Sequence, residues 1–476
     1  MKRSRTTPQC RTPRQKVRNS KETTNVQPPL EEVGQRFIQF SDRFASHFQR
    51  STRSVFLQVH LYLQGLMQAS RKNMERMEEV VPNCNYQSLQ HFLSHSEWDA
   101  RAVLAQVAAE ADRHLGGTPD SSLLIDESSF EKKGTMSVGV GRQWNGRLGK
   151  VENSQVAVFA CLAQGADSTL IDTRLYLPKE WTQDPERCEA AGIPKQEAGY
   201  KSKAELAFEM VVGARQNGVR FSWVGMDGGY GKEPALLRRL EDHDEIFMAD
   251  VHKDQRIYLE APDPIVPERK SVRGRKPTKL EAQRESQRVD EWVKAQPREA
   301  WQKVTVRPGT KGDVRVEALS ARVWLWDGSE PTARSWHVVV TRELRSPETI
   351  KYSLSNAPAD TSLERLVWMQ RQRFWIERSF EDAKSESGLA DYQVRGWLAW
   401  HHHMALVMMS MLFMLEEKLS QKEEHPLLSC SDIEVLLAHF LPRRDATVAE
   451  VIRQMKARHR ARQKAIDSAY RQQTPL

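Results

Sequence analysis

Two strand-like stretches that each end in an aspartate constrain the fold of this chain more than any other feature. Residues 121–126 read SSLLID, and residues 219–227 read VRFSWVGMD. An aspartate at the end of a buried strand places a carboxylate at the rim of a sheet, where the active sites of α/β proteins lie. Because 227 − 126 = 101 residues separate Asp126 from Asp227, only a folded sheet could bring the two together.

A third acidic candidate lies in residues 371–389, RQRFWIERSFEDAKSESGL. At helical spacing, intervals of four, four and three residues put four charged side chains on one face: Arg373, Glu377, Glu381 and Lys384. We expect the opposite face to pack on a core through Phe374, Ile376 and Phe380. Carboxylates suit a metal ion and the cations suit a phosphate, although alternating charge is also typical of a solvated helix face.

Asp126, Asp227 and Glu377 together suit metal-dependent phosphoryl chemistry. Two strand-end aspartates and a glutamate on a later helix can bracket two divalent ions about 3.5–4 Å apart, the arrangement used for in-line displacement. Glu127 is a rival ligand beside Asp126, but strand alternation places it on the other face. Glu381, one turn beyond Glu377, is a second rival.

The chain resembles the DD(E) transposases of bacterial insertion sequences, in the branch with a Tyr-Arg-Glu-Lys signature on the last catalytic helix. The corresponding positions here are Gln370, Arg373, Glu377 and Lys384, so three match and a glutamine replaces the tyrosine. The signature spacing selects Glu377 over Glu381. The resemblance continues in order over most of residues 55–415, through SRKNMERM, LIDESSFEKKG, LIDTRLYLPKEW, MDGGYG, YSLSNAP and GWLAWHHHMAL.

This resemblance implies an enzyme that cleaves transposon ends and transfers the strands into target DNA. Asp126, Asp227 and Glu377 would hold two Mg²⁺ ions, with Mn²⁺ as a substitute. One ion would activate water and then a 3′-hydroxyl, while the other would stabilise the leaving 3′-oxygen. The partners are double-stranded DNA and, by family expectation, a second copy of the chain. Phosphates would be positioned by Arg373 and Lys384, and more speculatively by Lys132 and Lys133.

The predicted fold class is α/β: an RNase H-like catalytic core interrupted by a β-rich insertion, with a helical N-terminal domain and a helical C-terminal tail. A meander of strands followed by strand, helix and strand is the order of such a core, and 476 residues are too many for one ordinary core. The expected segments are a disordered basic arm (1–28), a helical DNA-binding domain (29–118), the first part of the core (119–252), the insertion (253–361), the second part of the core (362–425) and a basic helical tail (426–476).

The insertion carries two groups of candidate DNA contacts. Arg273 and Arg275 resemble a short clamp for a narrow minor groove, although a charged loop without such a role explains them as well. The resemblance implies an aromatic side chain that stacks on a flipped base, and the candidates are Trp324, Trp326 and Trp336. Tryptophans in strands are more often simply packed.

Composition agrees with a nucleic-acid partner without requiring one. The net charge is +8, and five scattered cysteines without a CxxC pair indicate reduced thiols in the cytoplasm. We expect no secretory signal, and the apolar run of residues 404–415 is too short to span a bilayer. His401, His402 and His403 point in different directions on a helix, which favours structural or phosphate-facing roles over metal binding.

Two other functional classes stay open from sequence. The chain could be a metal-dependent nuclease that cuts DNA without joining it, or a non-catalytic DNA-binding protein that keeps the fold. Three mutually repelling carboxylates are costly to keep without a metal, which argues against the second class.

Overall fold

A computed structural model describes residues 29–49, 54–268, 276–309 and 312–473. The helices of this part are α1 Val33–Asp42, α2 Phe56–Gln68, α3 Met74–Val80, α4 Tyr86–Ser94, α5 Ala100–Leu115, α6 Lys179–Thr182, α7 Pro185–Ala190, α8 Lys203–Gln216, α9 Gly228–Gly231, α10 Pro234–Asp242, α11 Val289–Lys294, α12 Leu363–Gln372, α13 Phe374–Ser385, α14 Trp397–Ser420, α15 Cys430–Phe440 and α16 Val448–Gln473. The strands are β1 Ser121–Glu131, β2 Gly141–Asn145, β3 Lys150–Gln164, β4 Asp167–Leu175, β5 Trp223–Met226, β6 Phe247–Val251, β7 Arg256–Ile257, β8 Gln287–Arg288, β9 Gln302–Arg307, β10 Val314–Leu325, β11 Arg334–Glu343 and β12 Ile350–Ser355.

A mixed sheet of ten strands forms the centre of the molecule. Its order is β2-β3-β1-β5-β6-β12-β11-β10-β9, and β4 pairs with the second half of β3. Strands β1, β5 and β6 are parallel to one another, whereas the other pairings are antiparallel. The central parallel strands are almost wholly buried, which explains why their sequences read as continuous apolar runs. The α/β class predicted from the sequence is confirmed.

The register of the parallel strands aligns three aspartates. Ile125 on β1 lies opposite Met226 on β5, which lies opposite Ala249 on β6. One residue further along each strand come Asp126, Asp227 and Asp250. Because residues at one level of parallel strands point to the same face, these carboxylates form a row in the middle of β1, directly after β5 and near the end of β6. The prediction that Asp126 ends its strand was wrong, since β1 continues to Glu131 by pairing with β3.

Four of the strands within residues 253–361, β9 to β12, extend this central sheet, whereas β7 and β8 pair with each other in a separate two-stranded sheet. Strand β12 pairs with β6, placing Ser353 opposite Asp250, and β11, β10 and β9 follow outward. These four strands therefore share one hydrogen-bonded sheet with the strands that carry the aspartates.

Helix α14 is the centre of the helical part of the protein. It contacts α1, α2, α4 and α5 from the N-terminal region and α15 from the C-terminal region. It is long and apolar enough to cross a membrane, but 94% of its apolar stretch is buried inside the protein. This burial agrees with the core helix predicted around residues 404–415.

The helix predicted over residues 371–389 is divided at Arg373. Helix α12 ends at Gln372 and α13 begins at Phe374, with Arg373 at the joint. Ile376 and Phe380 are buried as expected. The prediction for Phe374 was wrong: its ring is 41% exposed and lies 4.0 Å from the Arg307 guanidinium, on the surface.

Candidate active site

The guanidinium of Arg373 joins three carboxylates from different parts of the chain. Its Nη1 lies 3.0 Å from Asp126 Oδ2, its Nη2 lies 2.7 Å from Glu377 Oε1, and its Nε lies 3.3 Å from Asp250 Oδ2. Burial by itself would lower the pKa of Arg373, but Asp126, Asp250, Glu377 and Asp227 together raise it above its ordinary value. Arg373 is therefore held as a cation at the centre of an acidic cluster.

Asp126 has the most perturbed carboxylate of this cluster. Burial raises its pKa to about 7, and the charges of Asp227 and, to a smaller extent, Glu377 act in the same direction. Arg373 and the backbone N–H of Glu127, which donates to Oδ1 at 2.7 Å, oppose the increase. The fold thus brings the three predicted acids within electrostatic reach of one another, although they are separated by 101 and 150 residues in the chain.

A tight turn fixes Asp227 at the end of β5. Its Oδ1 accepts hydrogen bonds from the backbone N–H groups of Gly229 at 2.9 Å and Tyr230 at 3.4 Å. A Cβ at Gly231 would lie 1.9 Å from the carbonyl oxygen of Asp250. The GGYG turn therefore needs a glycine at this position to pack against β6.

The two rival acids face elsewhere. Glu127 pairs with Lys203 Nζ of α8 at 2.7 Å, so it lies on the opposite face of the sheet from Asp126, as strand alternation predicted. The Glu381 side chain is 71% exposed and pairs with Arg378 at 3.2 Å. Glu377, which contacts Arg373, is the acid of α13 that reaches the cluster.

The donor atoms of the cluster suit a divalent cation. In the described part of the chain, no three His, Cys, Asp or Glu side chains are grouped closely enough to hold a metal ion, and the Arg373 guanidinium lies among the acids. Carboxylate oxygens are nevertheless the ligands that hard divalent cations take. A cation would reduce the electrostatic repulsion between the carboxylates of Asp126, Asp227 and Glu377. The residues therefore fit such an ion if Arg373 gives up some of its contacts.

The predicted lysines differ in their surroundings. Burial lowers the pKa of Lys384, Arg147 lowers it further, and Asp126 opposes the change, which places Lys384 near the acids. The Lys132 ammonium lies 3.6 Å from the centre of the Tyr392 ring, and burial lowers its pKa to about 8. Lys133 is exposed.

The predicted contacts of the insertion are spread over its length. Arg273 and Arg275 lie outside the described residues. Trp336 is 2% exposed, packs edge-to-face on Phe247 and donates its Nε1–H to Glu241 at 2.7 Å. This buried position leaves Trp324 and Trp326, both partly exposed, as the candidates for base stacking.

The three consecutive histidines are buried, and each has its own partners. His401 Nδ1 lies 2.9 Å from the Trp397 carbonyl oxygen, and His403 Nδ1 lies 2.8 Å from the Tyr62 hydroxyl. His402 stacks on Trp98, and its two ring nitrogens each lie 2.9 Å from a backbone carbonyl oxygen. Of the two roles predicted for these histidines, structural and phosphate-facing, these contacts agree with the structural one. The four cysteines of the described residues, Cys84, Cys161, Cys188 and Cys430, are free thiols.

Sequence reasoning missed Asp250, because this residue is a single acidic position within the strand-like run of residues 247–251, which continues to Val251. Residues 226–227 and 249–250 read MD and AD, and the 23-residue offset between them is the register of β5 and β6. The sequence also gave no role to Gln370. Its amide is 1% exposed and donates to Ser353 Oγ at 2.9 Å, and Ser353 in turn donates to Asp250.

Comparisons with known proteins identify the family of this chain. A family described as DDE superfamily endonuclease matches residues 43–313, which include Asp126 and Asp227 and end before Glu377. A probable transposase for insertion sequence element IS701 from Microchaete diplosiphon is 23% identical over 366 residues, covering 75% of this chain and 82% of that protein. The NurA nuclease from Sulfolobus solfataricus, 9% identical, covers 56% of this chain and 80% of its own, but its TM-score of 0.23 is too low to imply a shared fold. The family match confirms the enzyme class that the sequence predicted, and the chain belongs to the DDE superfamily of endonucleases.

Proposed function

We propose that this chain is a DNA transposase that cleaves the ends of its own insertion element and transfers them into target DNA. The observation that carries the proposal is the convergence of Asp126, Asp227 and Glu377 on one cluster at the carboxyl end of the central strand β5. The similarity to a probable transposase over 75% of the chain supports joining as well as cutting.

We assign Asp126, Asp227 and Glu377 as the ligands of two Mg²⁺ ions, which Mn²⁺ can replace. Such ions, when bound, would supply Lewis-acid activation of the attacking oxygen and charge neutralisation at the leaving oxygen. The protein's own cations would bind the phosphates on either side of the scissile bond. Arg373 contacts the acids directly and Lys384 is within electrostatic reach of Asp126, and Lys132 and Lys133 are further candidates for phosphate binding.

The catalytic core is proposed to be RNase H-like and to comprise residues 119–252 and 362–425. The support is the sheet order in which antiparallel β3 and β1 are followed by parallel β5 and β6. The insertion, residues 253–361, would contact the transposon end through Trp324 or Trp326. The helical segments 29–118 and 426–476 would bind double-stranded DNA, and two copies of the chain would act on two ends.

The test uses purified protein, duplexes that carry the ends of the element, and a supercoiled target plasmid, with Mg²⁺ or EDTA. Wild type should cleave and join only with Mg²⁺, and Glu377→Gln should abolish both reactions. Glu381→Gln is the matched control, because it removes a carboxylate one turn away that contacts Arg378 instead of the cluster, and it should retain activity. Cleavage without joining would make the protein a nuclease, while end binding without any cleavage would refute an enzymatic role.

A further inference from the structure

We propose that Asp250 is a positioning residue that holds Arg373 beside the catalytic carboxylates when divalent cations are bound. The inference deepens the proposed function and rests on it. Asp250 lies on β6 at the same level as Asp227 on β5 and Asp126 on β1. Of these three aligned acids, Asp126 and Asp250 each contact Arg373.

A buried chain of hydrogen bonds fixes the Asp250 carboxylate. Ser353 Oγ, from the facing position on β12, donates to Asp250 Oδ1 at 2.6 Å. Gln370 Nε2 donates to Ser353 Oγ at 2.9 Å, and Gln370 Oε1 accepts from Thr341 Oγ1 at 2.5 Å. Gln370, Ser353 and Thr341 are all at most 1% exposed, so the second oxygen of Asp250 is presented to Arg373 in a fixed orientation.

Cation binding changes which acids can hold Arg373. The lone pairs of Asp126 and Glu377 that now face the guanidinium would be taken by the cation, whose charge also repels Arg373. Asp250 would then be the carboxylate that still compensates the buried guanidinium. This contact would keep the Arg373 side chain near the scissile phosphate. Without it, the displaced guanidinium would be too far from the phosphate to act on it.

The geometry favours this role over direct ligation by Asp250. Neighbouring strands lie about 4.8 Å apart, so the backbone at Asp250 is roughly 10 Å from the backbone at Asp126, on the far side of the strand that leads to Asp227. One carboxylate oxygen of Asp250 already accepts from Ser353, and the other contacts the same Arg373 guanidinium that contacts Asp126.

The test combines Asp250→Asn with a matched control, Glu317→Gln. Asparagine keeps the oxygen that accepts from Ser353 but removes the charge that holds Arg373. Glu317 on β10 pairs with Arg342 at 2.7 Å, outside the acidic cluster and outside the hydrogen bonds that fix Asp250. Calorimetric titration with Mn²⁺ in the absence of DNA measures the metal site, and end cleavage measures the reaction.

We expect Asp250→Asn to keep the Mn²⁺ affinity of wild type within about threefold and to slow end cleavage by about 10- to 100-fold. The same substitution should have little further effect in an Arg373→Gln background, whereas Glu317→Gln should cleave as wild type does. A loss of Mn²⁺ affinity of tenfold or more would make Asp250 a metal ligand and overturn the proposal. An equal additional loss in the Arg373→Gln background would overturn it too, because Asp250 would then act independently of Arg373.

A second readout separates this inference from the proposed function. If wild type shows no Mn²⁺-dependent cleavage, the transposase proposal fails, but urea unfolding in EDTA still measures the energetic coupling of Asp250 with Arg373 in a double-mutant cycle. Significant coupling between these two residues, with none between Glu317 and Arg373, supports the holding contact. Absence of coupling refutes it.

Discussion

Replacing Asp126 with asparagine should stabilise the metal-free protein while abolishing catalysis. Burial and the charge of Asp227 raise the pKa of Asp126 from 3.8 to about 7 in the folded state. Because the folded-state pKa lies above the unfolded value, ionisation of Asp126 penalises folding fully above pH 7 and not below pH 4. At 1.36 kcal/mol for each tenfold change in the ionisation constant, the penalty reaches roughly 4 kcal/mol at pH 8.

The substitution also removes a favourable contact. Asp126 lies 3.0 Å from Arg373, which keeps its contacts with Asp250 and Glu377. The folded-state pKa of about 7 already includes the favourable charge of Arg373, so this contact is not subtracted a second time from the ionisation penalty. We therefore expect a stabilisation of roughly 4 kcal/mol at pH 8 and of about 1–2 kcal/mol at pH 5, where the folded carboxyl is protonated but the unfolded one is still ionised.

Urea unfolding in EDTA at the two pH values measures these differences. Mg²⁺ should then stabilise wild type in a saturable manner, by about 2.7 kcal/mol at one hundred times its dissociation constant, and should stabilise Asp126→Asn far less. Glu127→Gln is the neighbouring control, because its carboxylate pairs with Lys203 on the other face of the sheet. An Asp126→Asn protein that is less stable than wild type at pH 8, or that keeps the full stabilisation by Mg²⁺, would refute the reasoning.

Three further variants test the surroundings of the site. Trp336→Ala should lose roughly 3–5 kcal/mol of stability in urea unfolding because the ring is buried, whereas Trp324→Ala should weaken end binding with a smaller loss. Burial lowers the pKa of His403 from 6.5 to about 3, so unfolding binds a proton at this residue. The contribution of His403 to the stability of wild type should therefore fall by roughly 2 kcal/mol between pH 7 and pH 5. His403→Gln should remove this part of the acid sensitivity in urea titrations. Lys384→Gln should reduce the affinity for end DNA and lower the slope of log affinity against log salt concentration by about one. An unchanged slope would exclude a phosphate contact.

The sequence was sufficient where a local pattern determined a position. Asp126 and Asp227 each follow an apolar run, and parallel pairing of those runs was enough to predict that the two would meet. Helical spacing similarly predicted that Ile376 and Phe380 would be buried. These predictions depend on the periodicity of a single element, which the sequence carries directly.

Other features depend on contacts between distant elements. Phe374 follows the apolar pattern of α13 but lies at the break after Arg373, where Arg307 from β9 covers its ring at the surface. Asp250 is one polar residue inside a buried strand, and only the register of three strands shows that it belongs to the acidic row. Neither the break nor the register follows from the spacing of residues along one helix or strand.

The position of Arg373 connects the metal-free fold with the metal-dependent reaction proposed for it. Without a cation, the ionised acids of this cluster would repel one another, and the burial of Asp126 would make the folded state costly. Arg373 offsets this repulsion by contacting three of them through three separate nitrogens. In the proposed reaction a divalent cation would take over the same carboxylates, so its apparent affinity would include the cost of displacing the guanidinium from Asp126 and Glu377. An arginine that retains Asp250 would have a short distance to move, and this contact would keep the cost of metal binding low while leaving a positive charge next to the DNA.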